Sequence, residues 1–165
     1  MSRKPSSRPQ HRRPAQRGES TGAQVPGVEY GLLEDLMGYA LRRAQIRIYQ
    51  DFLDTMESWS ITPPRFSAMI IIDNNAGMKL TELAAAMGIA RSGAVEVVNS
   101  LEKLGFVSRT DSEVDKRAHV LALTSVGKKA LTGIAQAIQA HDARISARLT
   151  TAEQTELRRL LGLLG

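Results

Sequence analysis

The chain has 165 residues, 42% of them apolar but only 4% aromatic, with no cysteine and a formal net charge of +5. A chain of this length can bury a core without disulfides or a structural metal, and Ala, Leu, Ile, Val and Met must fill it, which favours helix over sheet. The missing thiols exclude disulfides, thiolate catalysis, thiolate zinc sites and thiol-based oxidant sensing, and no apolar run has the length of a membrane span. A cytoplasmic protein with no membrane partner is expected.

The positive charge suggests a nucleic-acid partner until it is located. Arg3, Lys4, Arg8, Arg12, Arg13 and Arg17 hold six of the 22 basic residues; the remaining 16 face 17 acidic residues. Basicity therefore describes the N-terminal tail. From Lys79 to Lys129 eight basic residues stand against six acidic ones, a mild excess compatible with DNA contact. Residues 1–26, rich in Pro, Ser, Gln, Gly and Arg, carry too little apolar surface to offset ordering entropy and are expected to form a disordered basic arm. The arm reads equally as a phosphate-binding element or as a solubilising leader.

A long amphipathic helix is predicted from about Leu32 to Ser58, where Leu33, Met37, Leu41, Ala44, Ile48, Phe52 and Met56 recur every three or four residues. Its length suggests that part of its apolar face meets something outside its own domain. Thr62 and Pro63 start a second helix that stops near Asn74. Thr81 is read as the cap of a short third helix, closed by Gly88, and Ala90–Leu104 as a fourth, closed by Gly105. Two short helices joined by a tight glycine turn form a helix-turn-helix. Strands over 106–110 and 119–123 flank a polar loop, which makes the hairpin a wing. Helices over about 126–148 and from Thr151 onward, the latter capped by Thr150 or Thr151, complete the chain.

The order of these elements, with Leu80-Thr81-Glu82-Leu83-Ala84, Leu101-Glu102-Lys103-Leu104-Gly105-Phe106-Val107-Ser108-Arg109, Asp115-Lys116-Arg117 and Leu123-Thr124-Ser125-Val126-Gly127, resembles the MarR family of regulators from about Tyr30 to the C-terminus. The resemblance implies a mainly α fold with a small β-hairpin wing. Residues 27–165 would form the domain, with dimerisation helices over 30–60 and 126–165 around a winged helix-turn-helix over 62–125. It also implies a homodimer on a pseudo-palindromic operator in double-stranded DNA, acting as a ligand-responsive repressor.

Side chains turned away from the core on the fourth helix are expected to read DNA: Arg91, Ser92, Gly93, Glu96, Asn99, Ser100 and Lys103. Arg91 can contact guanine or phosphate, and Asn99 can pair with adenine. Glu96 would repel phosphate unless it accepts from cytosine or pairs with Arg91, and a structural role fits it better. Gly93 and Glu96 depart from the small hydroxylated and basic residues frequent there in the family. In the wing, the resemblance places Arg117 in the minor groove with Asp115 shaping the loop and Lys116 beside them; otherwise this is a solvated hairpin tip.

No catalytic or metal site is expected. His11, His119 and His141 have no zinc-binding spacing, and no phosphate-cradling loop or nucleophile elbow occurs. His141-Asp142 reads as a surface pair, and no cofactor is implied. Tyr39, Arg42, Arg43, Arg47, Tyr49, Trp59 and Arg65 combine aromatic surface with positive charge, which suits an aromatic carboxylate or an acyl-CoA effector. Equally, those arginines can decorate a solvated face while the aromatics pack a dimer. The run from Arg43 to Phe52 is similar to first helices of relatives that control breakdown of aromatic acids. The competing function is a non-specific nucleic-acid or protein-interaction module driven by the arm.

Overall fold

A computed structural model describes residues 24–111 and 119–164. The elements in order are a 3-10 turn Gly31–Asp35, α1 Met37–Met56, a 3-10 turn Glu57–Trp59, α2 Pro63–Asn74, α3 Leu80–Ala86, α4 Arg91–Lys103, β1 Val107–Asp111, β2 His119–Leu123, α5 Ser125–Ser146 and α6 Thr151–Leu161. Residues up to Arg47 and residues from Ile48 onward form two compact units. The expected arm, up to residue 23, and the wing tip at 112–118 lie outside the described residues.

In the second unit the core gathers Met56, Met69, Ile72, Leu83, Val98, Leu101, Leu121 and Ile134 from the end of α1 and from α2 to α5. Each supplies residues at helical or alternating spacing, so the apolar faces converge. β1 and β2 pair antiparallel with Val107 opposite Leu123 and Arg109 opposite Leu121. The segment before α3 touches this hairpin: Leu121 donates its amide to the Met78 carbonyl at 2.8 Å, and Lys79 bridges Val120. This single bridge fixes the start of the helix-turn-helix against the hairpin.

The helix ends explain the glycines. Gly88 and Gly105 both adopt positive φ, +65° and +74°. Ile89 donates back to Ala84 and Gly88 to Ala85, each at 3.1 Å; Phe106 donates to Leu101 and Gly105 to Glu102, each at 2.9 Å. Both are Schellman closures, which satisfy carbonyls that would otherwise be orphaned and which need a left-handed residue. At the start of α3 the expected cap is corrected. Thr81 lies inside the first turn; Lys79 is the N-cap residue, and its amide donates to the Glu82 carboxylate at 2.7 Å. Lysine has no acceptor to offer the helix, so the acid three residues on does the capping alone. Ala90 likewise precedes α4 as an N-cap with no side-chain bond, so α4 begins at Arg91.

The junction after the wing is tied more tightly. The Thr124 hydroxyl donates to the Gly105 carbonyl at 2.6 Å and accepts from the Gly127 amide at 2.9 Å, while the Thr124 amide donates to the Phe106 carbonyl at 3.0 Å. A Cβ on Gly127 would fall on the Phe106 carbonyl oxygen and 2.8 Å from its carbon. Only glycine lets α5 start this close to the end of α4.

A second anchor joins α5 to the last turns of α1. His141 is only 5% exposed, which corrects its reading as half of a surface pair with Asp142. Its Nδ1 meets Asp51 Oδ2 at 2.6 Å, and its ring packs edge-on to Phe52 at 5.6 Å between centroids. Arg144 reaches the same carboxylate at 3.0 Å and the Thr55 hydroxyl at 2.6 Å. Partial burial opposes ionisation of Asp51, but the hydrogen bonds from Arg144 and His141 outweigh it and hold the carboxyl below its ordinary value. The ionised carboxylate accepts only, so His141 Nδ1 is the donor.

Two outcomes follow from these anchors. Gly127→Ala should cost about 3 kcal/mol, the upper part of the overpacking range, seen as a lower midpoint in denaturant with an unchanged slope. Asp51 has a lowered folded-state value, so its stabilisation is present above the ordinary aspartate range and is lost as pH falls through the lowered one. Asp51→Asn should therefore lower stability at pH 7 by about 1 kcal/mol after allowance for solvent screening. In thermal melts against pH that difference should shrink below about pH 4.

Candidate nucleic-acid interface

α3 and α4 meet at the Gly88 turn, and α4 lies beside the hairpin. Ala94, Val98 and Leu101 point into the core, so the opposite face of α4 is presented outward. Arg91, Ser92, Glu96, Asn99 and Lys103 are exposed as expected. Gly93 and Ser100 are half-buried on the same helix. A Cβ at Gly93 would meet Ile89 at an ordinary 3.7 Å, so packing alone does not require glycine there.

The outward face borders a cleft of about 490 Å³ between α4, the start of α3 and the hairpin. Its rim carries Lys79, Thr81, Arg91, Asn99, Arg109 and His119, and its floor Leu80, Val95 and Leu121. Lys79, Arg91 and Arg109 thus converge with His119 from the start of α3, α4 and the two strands, in a chain whose net positive charge resides in the tail. The sequence reading found Arg91 and Asn99 but missed Arg109, Lys79 and His119. Arg109 was visible only as part of a motif, because its partners lie on another element.

Those partners define its role. Arg109 Nη1 lies 2.7 Å from Glu102 Oε2, and Nη2 donates to Asn99 Oδ1 at 2.7 Å. The Arg109 and Glu102 side chains are 33% and 28% exposed, so the pair is partly shielded from water. A forked guanidinium on β1 spans two residues one turn apart on α4 and ties the strand to the helix. Asp115, Lys116 and Arg117, expected to act in the wing, lie outside the described residues.

The residues expected to hold an effector fall in both units. In the first, the Arg43 guanidinium sits over the rings of Tyr30 and Tyr39, 5.5 and 5.7 Å from their centroids, and donates to the Tyr39 hydroxyl at 3.3 Å. The Tyr30 hydroxyl accepts from the Val25 amide, and this bond holds its pKa below the usual phenol value. Tyr30 was not among the expected residues. Arg42 and Arg47 are exposed on the same helix. In the second unit, Tyr49 is exposed, Trp59 packs over Gly133 of α5, and Arg65 donates to the Ser60 carbonyl at 2.7 Å.

Two α-helices joined at a glycine turn, followed by a β-hairpin, make this a winged helix-turn-helix protein. Residues 61–119 match the model of the MarR family. The "Putative transcriptional regulatory protein for hcr operon" of Thauera aromatica is 36% identical over 146 residues, 88% of either chain. Among solved structures, the transcriptional repressor CouR bound to a 23-mer DNA duplex is 34% identical, with a TM-score of 0.77 over 82% of this chain and 96% of that one. CouR bound to p-coumaroyl-CoA is 33% identical, with a TM-score of 0.76 over 82% and 95%. The chain belongs to the MarR family, and it is a DNA-binding transcriptional repressor of that type.

Proposed function

We propose that the chain binds a pseudo-palindromic operator as a homodimer and is released by an aromatic carboxylate or its CoA thioester. The observation that carries the DNA-reading part is the outward face of α4, set beside a basic cleft at the base of the wing. The N-terminal turn of α4 offers free amides to a phosphate, with Arg91 and Ser92 beside them. Lys103 at the far end of the helix contacts the backbone, and Ser100 and Gly93 line the edge of the reading face. Arg117 enters the minor groove, with Lys116 on the flanking phosphate and Asp115 bracing the loop.

The dimer is supported by apolar surface that the described residues leave exposed. α6 has no buried residue, although Leu157, Leu160, Leu161, Leu163 and Leu164 lie on or just after it. Leu32, Leu33, Leu36, Met37 and Leu41 are exposed in the first unit. So much exposed leucine at helical spacing is the mark of an interface. A two-fold dimer places its recognition helices about one turn of DNA apart, which demands an inverted repeat.

The effector class is supported by the arginine held over two tyrosines in the first unit, a cation beside aromatic faces, and by CouR, which binds p-coumaroyl-CoA. In the first unit Tyr39, Arg42, Arg43 and Arg47 supply stacking surface and charge for a carboxylate or thioester phosphates, and Tyr49, Trp59 and Arg65 offer the same chemistry in the second.

One mobility-shift series tests the reading. Duplexes selected from a random pool by the full-length protein should share an inverted repeat with centres about one helical turn apart. Arg117→Ala should bind that duplex about tenfold more weakly at moderate salt. An aromatic acyl-CoA such as p-coumaroyl-CoA should release it where CoA alone does not. A pool that enriches no common sequence overturns the operator, and an unchanged Arg117→Ala titration overturns the wing contact. Indifference to every aromatic acid and thioester tried overturns the effector class.

A further inference from the structure

The contact between Arg109 and Asn99 decides which end of the asparagine amide is available. A guanidinium donates and cannot accept, so the end of Asn99 that faces it must be the oxygen. Oδ1 accepts from Arg109 Nη2 at 2.7 Å, and the same guanidinium is held from its other side by Glu102 at 2.7 Å. Turning the amide over would set Nδ2 against the guanidinium, donor against donor. The amide is therefore fixed with its oxygen toward β1, and its nitrogen, with two hydrogens, is left for an outside partner. Arg109, with its fork occupied and its charge balanced by Glu102, is a positioning residue.

We propose that this clamp makes Asn99 a reader of guanine. In the major groove guanine presents two acceptors, N7 and O6, which match two hydrogens on one nitrogen. Adenine presents an acceptor and a donor, and the two-bond contact with asparagine requires a carboxamide oxygen free to accept from N6. Here one of that oxygen's two lone pairs is taken by Arg109 and the atom is turned toward β1, which makes adenine the poorer match. Cytosine presents a donor and is rejected by the same geometry. The expectation that Asn99 pairs with adenine holds for an unclamped side chain, and the difference comes from a strand ten residues further along. DNA covering the cleft removes water from the Arg109–Glu102 pair and strengthens it at the moment of reading. The inference rests on the DNA-facing assignment of α4 proposed above.

The experiment is competition binding of the full-length protein between single-base variants of the selected duplex, for wild type, Asn99→Ala and Arg109→Met. Wild type should prefer guanine over adenine about tenfold at one position in each half-site. Asn99→Ala should level that position alone, and Arg109→Met should shift its preference toward adenine. The clamp is overturned if the position sensitive to Asn99→Ala prefers adenine in wild type. It is equally overturned if Asn99→Ala leaves the whole profile unchanged, or if Arg109→Met keeps the guanine preference. Asn99 is exposed and outside the core, so its variant decides the matter even where Arg109→Met fails to fold. Base preference absent from every position in wild type would instead sink the DNA-reading assignment itself.

Discussion

The reading surface depends on one knot of backbone, where the last turn of α4, both ends of the hairpin and the first turn of α5 meet. Thr124 stands at its centre, donating its hydroxyl to Gly105 and its amide to Phe106 while accepting from Gly127. Gly105 supplies the left-handed residue that closes α4, and Gly127 supplies the missing side chain that lets α5 approach Phe106. Two glycines and a threonine, spread over 23 positions, therefore set the angle between recognition helix and wing. The Arg109 fork adds a second tie between the same two elements, on the outer side. A helix that reads bases must be placed to within a fraction of an ångström, and side chains supported from two sides hold that placement.

This arrangement accounts for charge doing so little of the work. Beyond the tail the chain carries about as many acids as bases, so general attraction to phosphate is weak. Lys79, Arg91, Arg109 and His119, brought to one cleft, replace it. One of the four is neutralised by Glu102 and orients a neighbour instead of binding phosphate. Specificity then rests on donor and acceptor geometry, and affinity on a small number of placed contacts with the wing.

Elements with local causes were legible in the sequence. The glycine closures at Gly88 and Gly105, the proline start of α2, the cap of α6 at one of Thr150 and Thr151, which the structure gives as Thr150, and the strand alternation all follow from residues within five positions of one another. Thr81 was misread as a cap because hydroxyl residues usually fill that role, whereas here the Glu82 carboxylate reaches back to Lys79. The failures with larger consequences are non-local. His141 looked like a surface histidine because Asp51, its partner, lies 90 residues earlier. Asn99 looked free to take adenine because Arg109 sits on a different element. The α4 face was readable from period alone; the state of each side chain on it was not.

The central claim is that the Thr124 knot fixes the geometry from which DNA is read. Thr124→Val keeps the side-chain volume and removes the hydroxyl's bonds to Gly105 and Gly127, and Thr124 is half-buried. The decisive measurement is the affinity of this variant for the selected operator and for a scrambled duplex, alongside amide exchange at Phe106 and Gly127. We expect faster exchange at the junction and operator affinity weaker by about tenfold with scrambled-duplex affinity unchanged, since only base contacts need the exact helix placement. Faster exchange with wild-type operator affinity would contradict the account.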